Sequence, residues 1–175
     1  MGQGGDEMMA RIVEAVGWGQ AGRTGPARER LTELWDRIGP AGDPLHRCTL
    51  AHYLADLQDD PAEELRWDLR ALEAADTLTD ERAQRYDATF QVQAFRPSLQ
   101  LNLAEDYRKL GRPDRAREHL ALARESLPVL ADDPYGQLIR DAVERLGTEL
   151  AGSTPGPDIP GPDARRPDVV RSTGD

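Results

Sequence analysis

The sequence predicts an all-α fold, a solenoid of antiparallel helix hairpins with a capping helix at its end. Three observations point there. Prolines stand at a regular spacing, each just ahead of an amphipathic run. Those runs carry Leu and Ala at helical rather than alternating intervals. Aromatic residues make up only 5% of the 175 residues. Strands draw on Val, Ile, Thr and aromatics, whereas a core of Leu and Ala suits helices.

The elements follow in order. Residues 6–16 read as a short helix with Met9, Ile12, Val13 and Val16 on one face, placed to cover an open end of the stack. The next stretch, GWGQAGRTG, reads as a flexible link, so residues 1–25 precede the repeat domain of residues 26–150. Pro26, Pro44, Pro61, Pro97, Pro113 and Pro134 then each open a helix. Proline fits a first turn, where its missing N–H would be unpaired anyway, and is excluded from helix interiors. Asp43, Asp60 and Asp133 precede three of these prolines. An N-cap aspartate accepts from the first-turn amides and its charge suits the positive end of the helix dipole.

The apolar stripes come next. They are Leu31, Leu34, Trp35 and Ile38; Leu50, Leu54 and Leu57 beside Tyr53; and Leu65, Leu69 and Leu72. Further on they are Leu99, Leu103, Tyr107 and Leu110; Ala116, Leu120, Ala123 and Leu127; and Leu138, Ala142, Leu146 and Leu150. Between the third and fourth, Ala83, Tyr86, Phe90 and Ala94 predict one more helix, starting near Thr79. Successive starts then stand about 17 residues apart, and two helices make a period of about 34. The last helix, over 132–150, caps the open end, because a terminal repeat needs a solvated outer face. Residues 151–175 are rich in Pro and Gly with almost nothing apolar, and are expected to be disordered.

Charge and composition narrow the function. The formal net charge is −10, which repels phosphate backbones and anionic membrane surfaces. Neither nucleic acid nor a membrane is an expected partner. No apolar run approaches a membrane span, and the N-terminus lacks the basic and apolar blocks of a signal peptide. Cys48 is the only cysteine, so no intrachain disulfide forms and the cytoplasm is the expected compartment. Lys109 is the only lysine among many arginines, which marks a GC-rich, bacterial genome.

The segment QLNLAEDYRKLGRPDRAREHLALARESLP resembles a tetratricopeptide repeat. Gln100 stands at that pattern's Trp place, Leu103 at its Leu place, Ala104 at its small-residue place and Tyr107 at its Tyr place. Ala116, Leu120 and Pro128 complete it, and Gly111 falls at the turn between the two helices. Small residues let the helices approach, and the Gly ends the first helix in a left-handed turn. The resemblance is specific over residues 97–128. Earlier pairs match by spacing. One register pairs residues 26–58, 61–94 and 97–128 and uses every helix start without an insertion, which favours it. A rival register matches Leu50, Ala51 and Leu54 to Leu103, Ala104 and Tyr107, and makes the helix near residue 79 an insertion.

The resemblance implies a concave groove that binds a peptide or helix of a partner protein. Its groove positions fall on Ser98, Leu101, Asn102, Glu105, Arg108 and Lys109, and one period upstream on Glu64, Trp67, Asp68 and Ala71. Leu101 lies about 200° around the helix from Leu99. Trp67 lies off the stripe of its own helix, and is either a binding hot spot or covered by a neighbouring helix. Asn102 stands where the family holds a peptide backbone. Asp68 and Glu64 displace the positive charge of a carboxylate clamp, so a basic ligand fits better.

Other chemistry finds little support. Gly17, Gly19 and Gly22 spell G-x-G-x-x-G, but no strand precedes them, and they read as linker. His46, Cys48 and His52 form the one candidate metal set, yet His46 and His52 are six apart and so on different helix faces. They read as surface histidines around a small apolar cysteine, and no metal or cofactor is expected. Glu63, Glu64, Asp80, Glu81, Asp132 and Asp133 sit in or beside first turns, where the helix dipole accounts for them. No nucleophile elbow, P-loop or zincin motif occurs, and no catalytic residue is assigned. The expected function is therefore a binding adaptor rather than an enzyme. The alternatives are a regulatory helical-repeat component working with a transcription regulator, and a helical enzyme, which would require a buried, perturbed carboxylate or histidine in a closed pocket.

Overall fold

The computed structural model describes residues 6–87 and 92–152. Phe90 and the Pro/Gly-rich tail, on which two of the expectations fall, lie outside the described residues. Among these residues the protein is all-helical, with eight α-helices that pack against one another and no strand. They are α1 (Glu7–Gln20), α2 (Thr24–Ile38), α3 (Pro44–Asp56), α4 (Pro61–Thr77), α5 (Asp80–Tyr86), α6 (Arg96–Lys109), α7 (Pro113–Ser126) and α8 (Pro134–Ala151). Short 3₁₀ segments occupy Val92–Phe95 and Leu127–Val129.

The starting signals behave as their chemistry dictates. Prolines occupy the first turns of α3, α4, α6, α7 and α8. Asp43, Asp60 and Asp133 accept from the backbone amides of Leu45, Ala62 and Gly136, and Thr79 Oγ1 accepts from that of Arg82.

The stop signals define hairpins. Gly111, at φ 69°, ends α6. Its N–H donates to the Arg108 carbonyl at 3.0 Å, and that of Arg112 donates to Tyr107 at 2.8 Å. This paired closure needs a residue in the left-handed region, where glycine has no Cβ to clash. The same closure recurs at Gly22, φ 82°, where the N–H groups of Gly22 and Arg23 donate to the carbonyls of Gly19 and Trp18. The expected flexible link over residues 17–25 is therefore corrected. Gly17 and Gly19 are helical, α1 runs on to Gln20, and a three-residue turn brings α2 back against it.

The favoured register is corrected as well. The extensive helix contacts are α1 with α2, α3 with α4, and α6 with α7; α2–α3, α4–α6 and α7–α8 contacts join successive pairs. Helix α3 therefore pairs with α4, as the rival register expects, and not with α2. The reason lies in α4. Its buried residues are Asp68, Ala71, Ala74 and Ala75, whereas Leu69 is 37% exposed. The small side chains meet Cys48 and Ala51 of α3, so the two backbones approach closely.

Two more expectations shift. The helix from Thr79 ends at Tyr86, because Asp87 is extended, and the chain resumes as 3₁₀ before α6. In α8 the buried stripe is Ile139, Val143, Leu146 and Leu150, and Leu138 is 62% exposed. The two stripes share Leu146 and Leu150 and differ by one residue in their first half, where the branched pair Ile139 and Val143 packs against α6 and α7 in place of Leu138 and Ala142. Elsewhere the core is Leu-rich as expected. Ile12, Leu31, Leu34, Leu50 and Leu54 are fully enclosed, each contributing roughly 1.5–3 kcal/mol by burial.

Candidate functional site

A groove runs between the first helices of the three hairpins. It encloses about 370 Å³. Met9 and Val13 of α1 form one wall, Leu45, Cys48, Thr49, His52 and Tyr53 of α3 the floor, and Phe95, Ser98 and Leu99 at the start of α6 the other wall. Tyr86 from the end of α5 and Tyr135 from the start of α8 stand at its edge. Val13, Tyr86 and Tyr135 are 55%, 45% and 47% exposed, so the edge of the groove is apolar and open to solvent. Burial, the Asp56 carboxylate and the phenols of Tyr135 and Tyr86 together raise the Tyr53 phenol above its ordinary value. Burial pushes the Cys48 thiol up to about 12. While it stays buried it is a small apolar lining residue with little thiolate.

Beneath the groove, between α3, α4 and α6, lies a polar cluster. Asn102 Nδ2 is 3.4 Å from His52 Nδ1 and 3.5 Å from Asp68 Oδ1. Asp68 and Asp106 are 2% and 1% exposed, and their carboxyls lie within hydrogen-bonding reach of one another. Oδ2 of Asp106 is buried and accepts no hydrogen bond. Burial raises both carboxyls far above the carboxylate range; the Asp68 charge adds to the rise at Asp106, and Asp56 and Glu64 add to that at Asp68. Two carboxyls this close and this dry ionise together only at alkaline pH, so near neutrality the pair holds a proton, favoured on Asp106. Asp56, facing His52, Glu64 and Lys109, is raised as well, by burial first. Lys109 is the cluster's lysine, and its Nζ is already bonded to both Glu64 oxygens at 2.7 and 2.8 Å.

A second ionic cluster ties α5 to the front of the molecule. Asp6 accepts from His46 Nε2 at 2.8 Å and from Arg82 Nη2 at 3.0 Å, and Arg82 Nε donates to Asp43. Burial works to raise Asp6 and Asp43, but their hydrogen bonds and the facing positive charges outweigh it and hold both carboxyls low.

The predicted groove residues divide into two sets. Glu64, Asp68, Asn102 and Lys109 come together in the polar cluster, and Ser98 lines the groove itself. The others lie elsewhere. Trp67 packs edge to face on Trp35 of α2, with Arg70 stacked 4.4 Å above it, so a neighbouring helix covers it. The expected exposure of Leu101 is likewise corrected, since it is half-buried in the α6–α7–α8 cluster. Glu105 bonds Arg108, which also reaches Glu149 of α8 at 3.6 Å. The surface reading of His46 and His52 is corrected too: His46 is held in the Asp6–Arg82 cluster and His52 stands in the groove.

Sequence reasoning missed Val13, Tyr86 and Tyr135. Val13 and Tyr86 stand on the core stripes predicted for their helices and instead face solvent at the groove edge, whereas Tyr135 lies outside the stripe predicted for α8. It also missed the Asp68–Asp106 pair, although Asp106 stands in line with Leu99 and Leu103 on α6, and that signal was available. Among the described residues no group of three or more His, Cys, Asp or Glu is arranged to hold a metal, and no helix is long and apolar enough to cross a membrane.

No family model, curated protein or solved structure matches the chain.

Proposed function

We propose that the protein is a helical-repeat binding module of tetratricopeptide character, whose groove between α1, α3 and α6 receives an apolar or aromatic segment of a partner protein. The observation that carries this reading is the cavity of about 370 Å³ flanked by exposed Val13, Tyr86 and Tyr135. Solvent-facing apolar residues gathered around one concavity mark an interaction site. The repeat assignment draws on spacing. If the segment between α4 and α6 is set aside as an insertion, α3 and α6 start about 34 residues apart, the tetratricopeptide period. The paired closures at Gly22 and Gly111 add a shared hairpin turn. The proposed compartment is the cytoplasm, where a lone buried thiol stays reduced.

The Asp68–Asp106 pair supplies the raised carboxyls that a helical enzyme would need. Neither residue lines the groove, so the one concavity with exposed apolar edges does not present them to a ligand, and binding is the better reading.

Affinity capture from the native cell tests it. Partners retained by the parent protein are expected to be lost with Val13→Asp and with Tyr135→Ala, both at exposed positions that leave the core intact. Capture of every partner at parental levels by both variants would sink the groove assignment.

A further inference from the structure

The groove and the buried carboxyl pair share a wall. Asn102 reaches His52, which lines the groove, on one side and Asp68 on the other, and Asp68 meets Asp106. The same helix, α6, carries Asp106 and Asn102 along its length and Ser98 and Leu99 into the groove at its start. Anything that moves α6 away from α4 therefore moves a wall of the groove. Resting on the groove reading above, we infer that the Asp68–Asp106 pair is a proton-operated latch on that groove: a proton shared by the two carboxyls holds α6 against α4, and its loss to solvent releases α6 and widens the groove.

The electrostatics of the surroundings set the direction. Asp56 of α3 and Glu64 of α4 add negative charge beside the pair, and Lys109 of α6 is committed to Glu64. His52 of α3 faces Asp56. From α7, His119 bonds Gln100, and from α8, Glu149 faces Arg108; neither supplies a positive charge to the pair. When the shared proton leaves, two carboxylates face each other in a dry site, and the one nearby cation among these groups, Lys109, favours the Asp106 charge but is already bonded to Glu64. Separation of the helices, or entry of water between them, is the available relief. While the proton is present, Asp106 donates to Asp68 and the contact holds.

Cys48 provides the reporter. It is the only cysteine in the chain, it is 4% exposed, and it lies on the groove floor. Alkylation of the full-length protein by iodoacetamide, followed against pH, reads groove opening without any partner. Asp106→Asn is the comparison, because an amide at that position donates to an ionised Asp68 and keeps the latch closed at every pH. Taking the ratio of parent to variant cancels the thiol's own titration. The ratio is expected to stay near one under mildly acidic conditions and to rise about tenfold or more once the pair has lost its proton, at about pH 9 or above. Should Asp106→Asn lose its helical circular dichroism, Asp68→Asn places the donor on the other partner and is expected to give the same result. A ratio that stays constant across the pH range overturns the inference. So does a rise that Tyr53→Phe abolishes, since the groove's own phenol would then be the titrating group. Either outcome leaves the groove as a binding site standing, because the labelling involves no partner; loss of partner capture in the groove variants is a separate measurement.

Discussion

Trp35 and Trp67 meet edge to face with ring centroids 5.1 Å apart, which fastens α2 to α4. Arg47 lies 5.1 Å over Trp35, and Arg70 4.4 Å over Trp67. Sandwiched in this way, Trp67 is structural. Trp67→Ala is expected to lower the unfolding free energy by about 2–3 kcal/mol, below the figure for a fully buried Trp because the ring is partly exposed. Urea unfolding followed by circular dichroism measures this. Partner capture by the same variant should match the parent under conditions where both are folded.

The carboxyl pair and the Asp6–Asp43–Arg82 cluster act on stability in opposite directions. Burial, with its neighbours' charges, pushes Asp106 up to about 9 and Asp68 up to about 7. Carboxyls raised above their unfolded values bind more protons in the folded state. Their contribution is complete below about pH 4 and drains away as pH rises toward 9. Unfolding free energy measured in urea between about pH 6 and 9 should therefore fall for the parent, by at most about 1.4 kcal/mol per pH unit for each proton lost. Asp106→Asn should flatten the curve. A parent whose stability is level over that range would contradict the protonated pair.

At acidic pH the other cluster decides. The carboxyls of Asp6 and Asp43 are held low, so the stability they lend is present above about pH 4 and is lost as pH falls through their folded values. Together the two clusters place the stability maximum at mildly acidic pH. Asp43→Ala removes the N-cap bonds to the Leu45 and His46 amides as well as the Arg82 contact, and should cost about 1–2 kcal/mol near neutral pH. The acid limb of its stability curve should be shallower than the parent's.

Gly111 holds a left-handed conformation at the tip of the α6–α7 hairpin with open space around it. Gly111→Ala therefore meets no clash and pays only in backbone strain, about 1 kcal/mol. Gly22→Ala should cost a similar amount at the α1–α2 turn, where the geometry is the same. Paired thermal melts of the two variants check both, and a large difference between them would deny the equivalence of the two turns.

Helix positions were legible because they rest on local chemistry. An Asp-Pro pair specifies a cap and a first turn whatever the helix later packs against, and Asp43, Asp60 and Asp133 all do so. Pairing was harder to read, because it depends on which face of a helix meets its neighbour. In α4, Leu65, Leu69 and Leu72 present the more apolar stripe, yet the close approach of α3 selects Ala71, Ala74 and Ala75. The cost of burying Asp68 is met by a proton on Asp106, a residue 38 positions further on that no pattern within α4 could reveal. The candidate site was legible in the same partial way. Asn102, Asp68, Glu64 and Lys109, which the sequence pattern groups together, do meet, but beneath the groove and not in its lining, whereas the tyrosines at the groove edge depend on how α5 and α8 fold back.

Helix α5 holds near its beginning Arg82, which grips Asp6 and Asp43, and the buried Ala83, which adjoins the core. Its far end carries Tyr86, which stands beside the groove without being built into the hairpins. A short helix whose last residue stands at the groove can change in sequence without rewriting the paired helices. It offers a splice point: a place where related chains could tune which ligands the groove admits, and where a fluorophore or a grafted loop could be introduced to report on occupancy.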